Sequence, residues 1–237
     1  MTWSILARTP DGRFGAAIAS RFFAVGAFCV RARRGVGIVS SQALLNPLYG
    51  PAALDLLAAG FSAAQAAAAL VSADAGRDQR QLHILPAQGP AALHTGAACV
   101  DWCGHADHGD FTVAGNMLAG PQVLQATAAA YGAASGTLAE RLLAALRAGE
   151  AAGGDKRGRQ SAALWIQGDE DRAELDLRVD DHADPLAELE RLHRVSLERF
   201  QPFIACLPGR HDAVGELDRT RIESRIERFH AERAART

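Results

Sequence analysis

Cysteine is scarce in this chain of 237 residues, with only Cys29, Cys99, Cys103 and Cys206. Four are too few to build a disulfide framework in a chain this long. Long apolar runs are missing too. The longest early one, Phe22 to Val30, is too short to span a bilayer and carries no cleavage-site pattern. Charge of one sign is also lacking: the formal net charge is -2, which argues against a nucleic-acid polyanion as partner. No 20–50-residue period points to a solenoid. These absences leave a cytoplasmic globular protein, and 49% hydrophobic against 22% charged residues is an ordinary balance for one. The length suits one large domain with a generous core.

The sequence that is present reads as strands and helices in alternating blocks. Residues 3–8 and 14–20 predict an antiparallel pair across Pro10-Asp11-Gly12, and residues 26–32 and 35–41 a second pair broken at Arg33-Arg34-Gly35. Gly15–Ala19 and Val36–Val39 are apolar on both faces, as strands covered on both sides are. Gly50-Pro51 opens a helix that Gly60 closes, and Ser62-Ala63-Ala64-Gln65 is a capping box that opens the next. Residues 79–86 and 91–95 read as a hairpin.

The plan then repeats. Phe111 to Leu118 is a strand, Pro121 starts a helix ending near Gly132, and Thr137-Leu138-Ala139-Glu140 caps a helix ending at Gly149. Strands at 160–167 and 173–179 and an amphipathic helix from Pro185 to Arg199 follow. This order predicts an α+β fold, a four-layer αββα sandwich of two stacked antiparallel sheets flanked by helices, over residues 1–200. Residues 201–237 form a charged extension in which Val214, Leu217, Ile222, Ile226 and Phe229 fit one helical stripe.

Four stretches offer chemistry. Thr2 follows the initiator Met, and its trimming would give one residue a hydroxyl and a free α-amine, a nucleophile with its own base. A free α-amine titrates near about 7.7–8.0, so it is partly unprotonated at neutrality. Gly153 through Ser161 combines glycines with Asp155, which can orient an amine, and with Lys156, Arg157 and Arg159, which can bind an anion. It precedes a strand rather than a helix, so it is no phosphate loop. Cys99, Cys103, His105 and His108, with His94 upstream, have zinc-ligand chemistry, but their spacing matches no finger or ribbon. Ser40-Ser41-Gln42 and Gly115-Asn116-Met117-Leu118 end apolar strands, where an oxyanion hole can form.

These pieces together resemble the N-terminal nucleophile (Ntn) hydrolase superfamily, and within it a bacterial family known as domain of unknown function 1028. The resemblance rests on Thr2, Ala19-Ser20-Arg21, Gly37 through Ala43, Asn46-Pro47 and Tyr49-Gly50-Pro51. It continues through His94-Thr95-Gly96, Gly115 through Leu118, Gly153 through Ser161 and Asp176 through His182. It covers about residues 1–195 and implies the proteasome-like αββα fold. It also implies that the Thr2 hydroxyl attacks an amide carbonyl while the α-amine takes its proton. An amide near Ser41 and Gln42 would face the oxyanion, and Asn116 and Asp155 would support the terminal amine. Ala19 stands where proteasome-type enzymes carry Asp, and Arg33 or Arg34 is nearest to their Lys.

The expected function is hydrolysis of a small anionic amide or peptide-like metabolite by a homo-oligomer, with no cofactor, metal, membrane or nucleic acid. Gln42, His94, Lys156, Arg157 and Arg159 are the candidate substrate contacts. The alternative is a non-catalytic protein that binds an anion with the 153–161 loop.

Overall fold

Ten strands pair into two antiparallel sheets in the computed structural model, which describes residues 2–235. The first hairpin is β1 (Thr2–Arg8) and β2 (Phe14–Ser20), closed by a turn in which Gly12 supplies a φ of 84°. The β1 strand lies inside a sheet, not at an edge. The other strands are β3 (Val30–Arg33), β4 (Gly37–Ala43), β5 (Arg80–Pro86), β6 (Ala92–Thr95), β7 (Trp102–Asp107), β8 (Phe111–Leu118), β9 (Ser161–Gln167) and β10 (Ala173–Val179). One sheet runs β10-β9-β2-β1-β8-β7 and the other β3-β4-β5-β6.

Side chains alternate between the faces of each strand, and the register shows where each face looks. On β1, Leu6 joins Ile38 of β4 and Leu85 of β5 in one apolar cluster with Phe14 and Ile18 of β2. This face of the six-stranded sheet therefore meets the four-stranded sheet. The outer face of the four-stranded sheet, through Val39, Leu82 and Ile84, packs on α2 (Tyr49–Ala58) and α3 (Ala63–Ala73). The helices α4 (Gln122–Ala133) and α5 (Leu138–Ala151) pack together and against strands of the six-stranded sheet. Both expected capping boxes form, at Ser62–Gln65 and at Thr137–Glu140.

Three local expectations change. The strand expected over 26–32 is split into a short helix, α1 (Val25–Phe28), and β3. Ala24 takes a left-handed φ of 53°, while the Ala24 N–H bonds to the Asp180 carbonyl and the Val25 N–H to the Ser161 hydroxyl. Those distant bonds turn the chain before pairing begins. The β7 strand was not expected, because its half-exposed residues show little apolar alternation. In the tail, α7 (Phe200–Ile204) and α8 (Arg219–Ala234) replace the single stripe. Val214 and Leu217 lie in the loop between them, 58% and 77% exposed.

The chain divides into two compact units, with the boundary between Leu189 and Glu190 inside α6 (Pro185–Glu198). Among the described residues no helix is long and apolar enough to cross a membrane.

Candidate active site

Thr2 opens β1 between two strands, its neighbour Trp3 pairing with Ala19 of β2 and Thr2 itself with Asn116 of β8. It is 5% exposed, and its Oγ1 donates to the Ser20 hydroxyl at 3.2 Å. The Asn116 Nδ2 lies 3.5 Å from the Thr2 carbonyl oxygen. One residue past Ser20, the Arg21 N–H donates to Asp155 Oδ2 at 2.8 Å, and the Arg157 N–H donates to Asp155 Oδ1 at 2.9 Å. The Asp155 carboxylate is fully shielded from solvent. Thr2, Ser20, Asn116 and Asp155 thus gather at one end of β1, β2 and β8. Met1 lies outside the described residues.

The face of β1 that carries Thr2 and Leu6 also carries Ser4, and from Ser4 toward Thr2 the space between the sheets is polar. Ser4, Ser40, Gln42, Gln81, His83 and Thr112 are all fully buried there. Burial without partners would cost each of them a few kcal/mol, and a chain of hydrogen bonds removes that penalty. Its direction follows from two backbone carbonyls, which can only accept. Gln81 Nε2 faces the Gly115 and Gly104 carbonyls at 2.9 and 3.0 Å, and Thr95 Oγ1 at 2.9 Å. Gln81 Oε1 must then accept, from Gln42 Nε2 at 2.7 Å and Asn116 Nδ2 at 3.0 Å.

Gln42 Oε1 in turn accepts the Ser4 hydroxyl at 2.7 Å. With that hydrogen spent, His83 Nε2 must donate to Ser4 Oγ at 2.9 Å, and Thr112 Oγ1 donates to His83 Nδ1 at 2.9 Å. His83 therefore carries a proton on Nε2, and burial, which pushes its pKa down to about 3, keeps it neutral with Nδ1 as the acceptor. Sequence reading picked out Gln42 and Asn116 of this chain and missed Ser4, Gln81, His83 and Thr112, which look like ordinary polar residues on strands.

The cations of the 153–161 loop are already engaged. Lys156 Nζ lies 2.5 Å from Asp101, Arg157 Nη2 lies 3.3 Å from Asp155, and Arg159 contacts Glu150 at 2.5 Å and Asp184 at 3.4 Å. Glu150 sits half-buried, which raises its pKa. The Ser41 N–H donates to the Cys29 carbonyl at 2.9 Å, so that amide is already occupied, and the Ser41 hydroxyl accepts the Asn46 N–H at 3.2 Å. Burial pushes the Cys29 thiol up to about 12.

His94 lies opposite Leu82 in the β5–β6 register, and its Nε2 bonds to the Arg77 carbonyl at 3.0 Å. Leu82 faces α2 and α3, so His94 points away from the space between the sheets. His105 Nδ1 meets the Thr95 hydroxyl at 2.8 Å. Among the described residues no three His, Cys, Asp or Glu side chains converge as a metal set. Arg33 pairs with Asp55 and Arg34 with Asp169 at the β3–β4 turn, at the opposite end of β4 from Gln42.

Among the described residues, four that are not glycine adopt left-handed backbone: Ala24, Ala43, Asp101 and Met117. Such residues cost about 1–3 kcal/mol each and collect at functional sites. Here Ala43 follows Gln42, Met117 follows Asn116, and Asp101 pairs with Lys156. Asp74 explains another motif. It accepts from Asn46 Nδ2 at 3.1 Å, Tyr49 Oη at 2.9 Å and Arg80 Nε at 3.0 Å. Asn46 and Tyr49 thus anchor the loop after β4.

A family model described as a family of unknown function (DUF1028) matches residues 2–189. The crystal structure of protein SPO2555 from Silicibacter pomeroyi, titled with the same family model, is similar at 33% identity over 92% of this chain and 99% of that one, with a TM-score of 0.84. Anbu (ancestral beta-subunit) from Yersinia bercovieri is similar at 13% identity over 87% of this chain and 98% of that one, with a TM-score of 0.41. No curated protein matches the chain.

Proposed function

We propose, from the premise that this chain belongs to the DUF1028 family, that it hydrolyses a small amide or peptide-like compound with Thr2 as terminal nucleophile. The observation that carries this reading is the contact of Ser20 and Asn116 with the one residue that would hold both a hydroxyl and an α-amine, with Asp155 bound to the N–H one residue past Ser20. The facing sheets, with α2 and α3 on one and α4 and α5 on the other, support the αββα arrangement of Ntn hydrolases.

Once Met1 is removed, the α-amine of Thr2 takes the hydroxyl proton as Oγ1 attacks the amide carbonyl. The tetrahedral intermediate collapses to a Thr2 ester as the protonated amine gives its proton to the departing nitrogen. Water, deprotonated by the same amine, then attacks the ester and releases the acid. The Ser20 hydroxyl, 3.2 Å from Oγ1, steers the attacking oxygen. Asp155 holds the Ser20–Arg21 backbone from its shielded position.

Anion binding without catalysis is the weaker reading, because Lys156, Arg157 and Arg159 each already face a carboxylate. For the same reason an anionic substrate has to displace Asp101 or Glu150 from its cation.

The test is the mass of the intact protein followed by exposure to a β-lactone acylating probe. The expected result is a chain lacking Met1, acylated once at Thr2, with Thr2→Ala unlabelled but equally stable. Retention of Met1 throughout the population would rule the mechanism out.

A further inference from the structure

The Gln81 carboxamide is the junction of the buried polar chain. It touches no solvent. Its oxygen takes two donors, from Gln42 on β4 and Asn116 on β8. Its nitrogen serves the Thr95 hydroxyl and the carbonyls of Gly104 and Gly115. One side chain of the four-stranded sheet thus grips the two residues of β8 that pair with Trp3 and Thr2.

The grip also sets an orientation. An Asn side chain can present either its oxygen or its nitrogen, and the two differ only in hydrogen-bond sense. Since Gln81 Oε1 can only accept, Asn116 must turn its nitrogen toward Gln81, and the same nitrogen then lies at the Thr2 carbonyl. The Asn116 oxygen is left at the opposite edge of the planar amide as an acceptor. The Gln81 sense is itself imposed by the Gly104 and Gly115 carbonyls, so no side chain in this relay can flip alone.

We propose that Gln81 is a positioning residue for Thr2, acting through Asn116. It fixes which end of the Asn116 amide faces the nucleophile strand, and how far that strand stands from β8. The inference rests on the Thr2 reading for its catalytic consequence, but the geometry it asserts stands apart from that reading. Displacements of about 1 Å around a reacting group can slow it by about a hundredfold, so a residue that touches no substrate can govern the rate.

The experiment uses the full chain, prepared to begin at Thr2, as wild type, Gln81→Met, Asn116→Ala and the double variant. Hydrogen exchange of the Asn116 side-chain amide is measured by NMR on the wild type and Gln81→Met, and the rate of Thr2 acylation by the β-lactone probe on all four. Gln81→Met is expected to make the Asn116 amide exchange at least about tenfold faster while β8 backbone amides stay protected. It is expected to slow acylation about tenfold or more, and the double variant should be no slower than Asn116→Ala alone, as for residues acting as one unit.

Should Gln81→Met unfold the protein, Gln81→Glu supplies the same test. Its carboxyl, when protonated, keeps a donor and an acceptor in the same shape, so its acylation rate relative to wild type at the same pH should rise as pH falls while the fold is unchanged. An unaltered Asn116 amide with an unaltered rate overturns the proposal, as does strict additivity in the double variant. If wild-type Thr2 is never acylated, the hydrolase reading fails and the exchange data alone decide the positioning role.

Discussion

At the scale of single residues, His83 carries a sharp consequence. Its ordinary value is 6.5 and burial lowers it to about 3. Below pH 6.5 the unfolded chain takes up a proton that the folded chain refuses until near pH 3. The stabilisation is therefore complete above 6.5 and drains away as pH falls toward 3. Between pH 7 and 5, above the range where most carboxylates titrate, His83 alone should remove about 2 kcal/mol. Urea midpoints at the two pH values check this, and His83→Asn should flatten the difference. A wild-type midpoint that does not move would mean that His83 is not held neutral.

Elements meet closely where α5 crosses β1. A Cβ added at Gly149 would stand 2.3 Å from Thr127 Oγ1 and 2.6 Å from Trp3 Nε1. Neither can retreat easily, since Trp3 is buried and Thr127 bonds to the Val123 carbonyl at 2.7 Å. Gly149→Ala gains about 1 kcal/mol of helix propensity but overpacks a core contact at about 1–3 kcal/mol. The net expectation is a loss of about 1 kcal/mol, read from thermal or urea unfolding, with Thr2 acylation slowed because Trp3 is its neighbour. A variant more stable than wild type would show that the α5–β1 contact yields.

The same scale shows what the sequence made legible. Hairpins and caps are written in short stretches: Pro10-Asp11-Gly12 turns β1 into β2, and Ser62 and Thr137 cap α3 and α5 as their spacing foretells. The candidates Thr2, Asn116 and Asp155 stand out in the sequence for separate reasons: Thr2 follows Met1, Asn116 lies near the end of an apolar strand, and Asp155 sits in a loop dense in glycine and charge. The polar chain was not. Ser4, Gln42, Gln81, His83, Thr112 and Asn116 lie on four strands, and only the register between sheets brings them together. Polar residues in alternating strands ordinarily read as solvent-facing, and here they face another sheet. The loop cations were legible as charge, but the acids that occupy Lys156 and Arg159, namely Asp101, Glu150 and Asp184, lie outside the 153–161 stretch.

For the whole molecule, the unit ending at Leu189 contains both apolar clusters described above and the polar chain. The second unit has its own ties, including Arg199 to Glu223 and His230 to the Glu198 carbonyl at 2.8 Å. Deleting residues 205–237 is therefore expected to leave amide protection in β1, β4 and β8 unchanged by hydrogen exchange. Loss of protection in those strands would mean that the first unit does not hold its fold without the second.

The interior position of β1 also bears on how far an exopeptidase could digest the end of the chain. An exopeptidase needs a few residues of loose, extended chain in its own cleft. From Thr2 onward this backbone is already paired with β8, and from Trp3 also with β2. In the folded protein, digestion working inward would stall at Thr2, so over-trimming can happen only before the sheet closes. A preparation whose terminal residue varies beyond that point thus records how long nascent chains waited to fold.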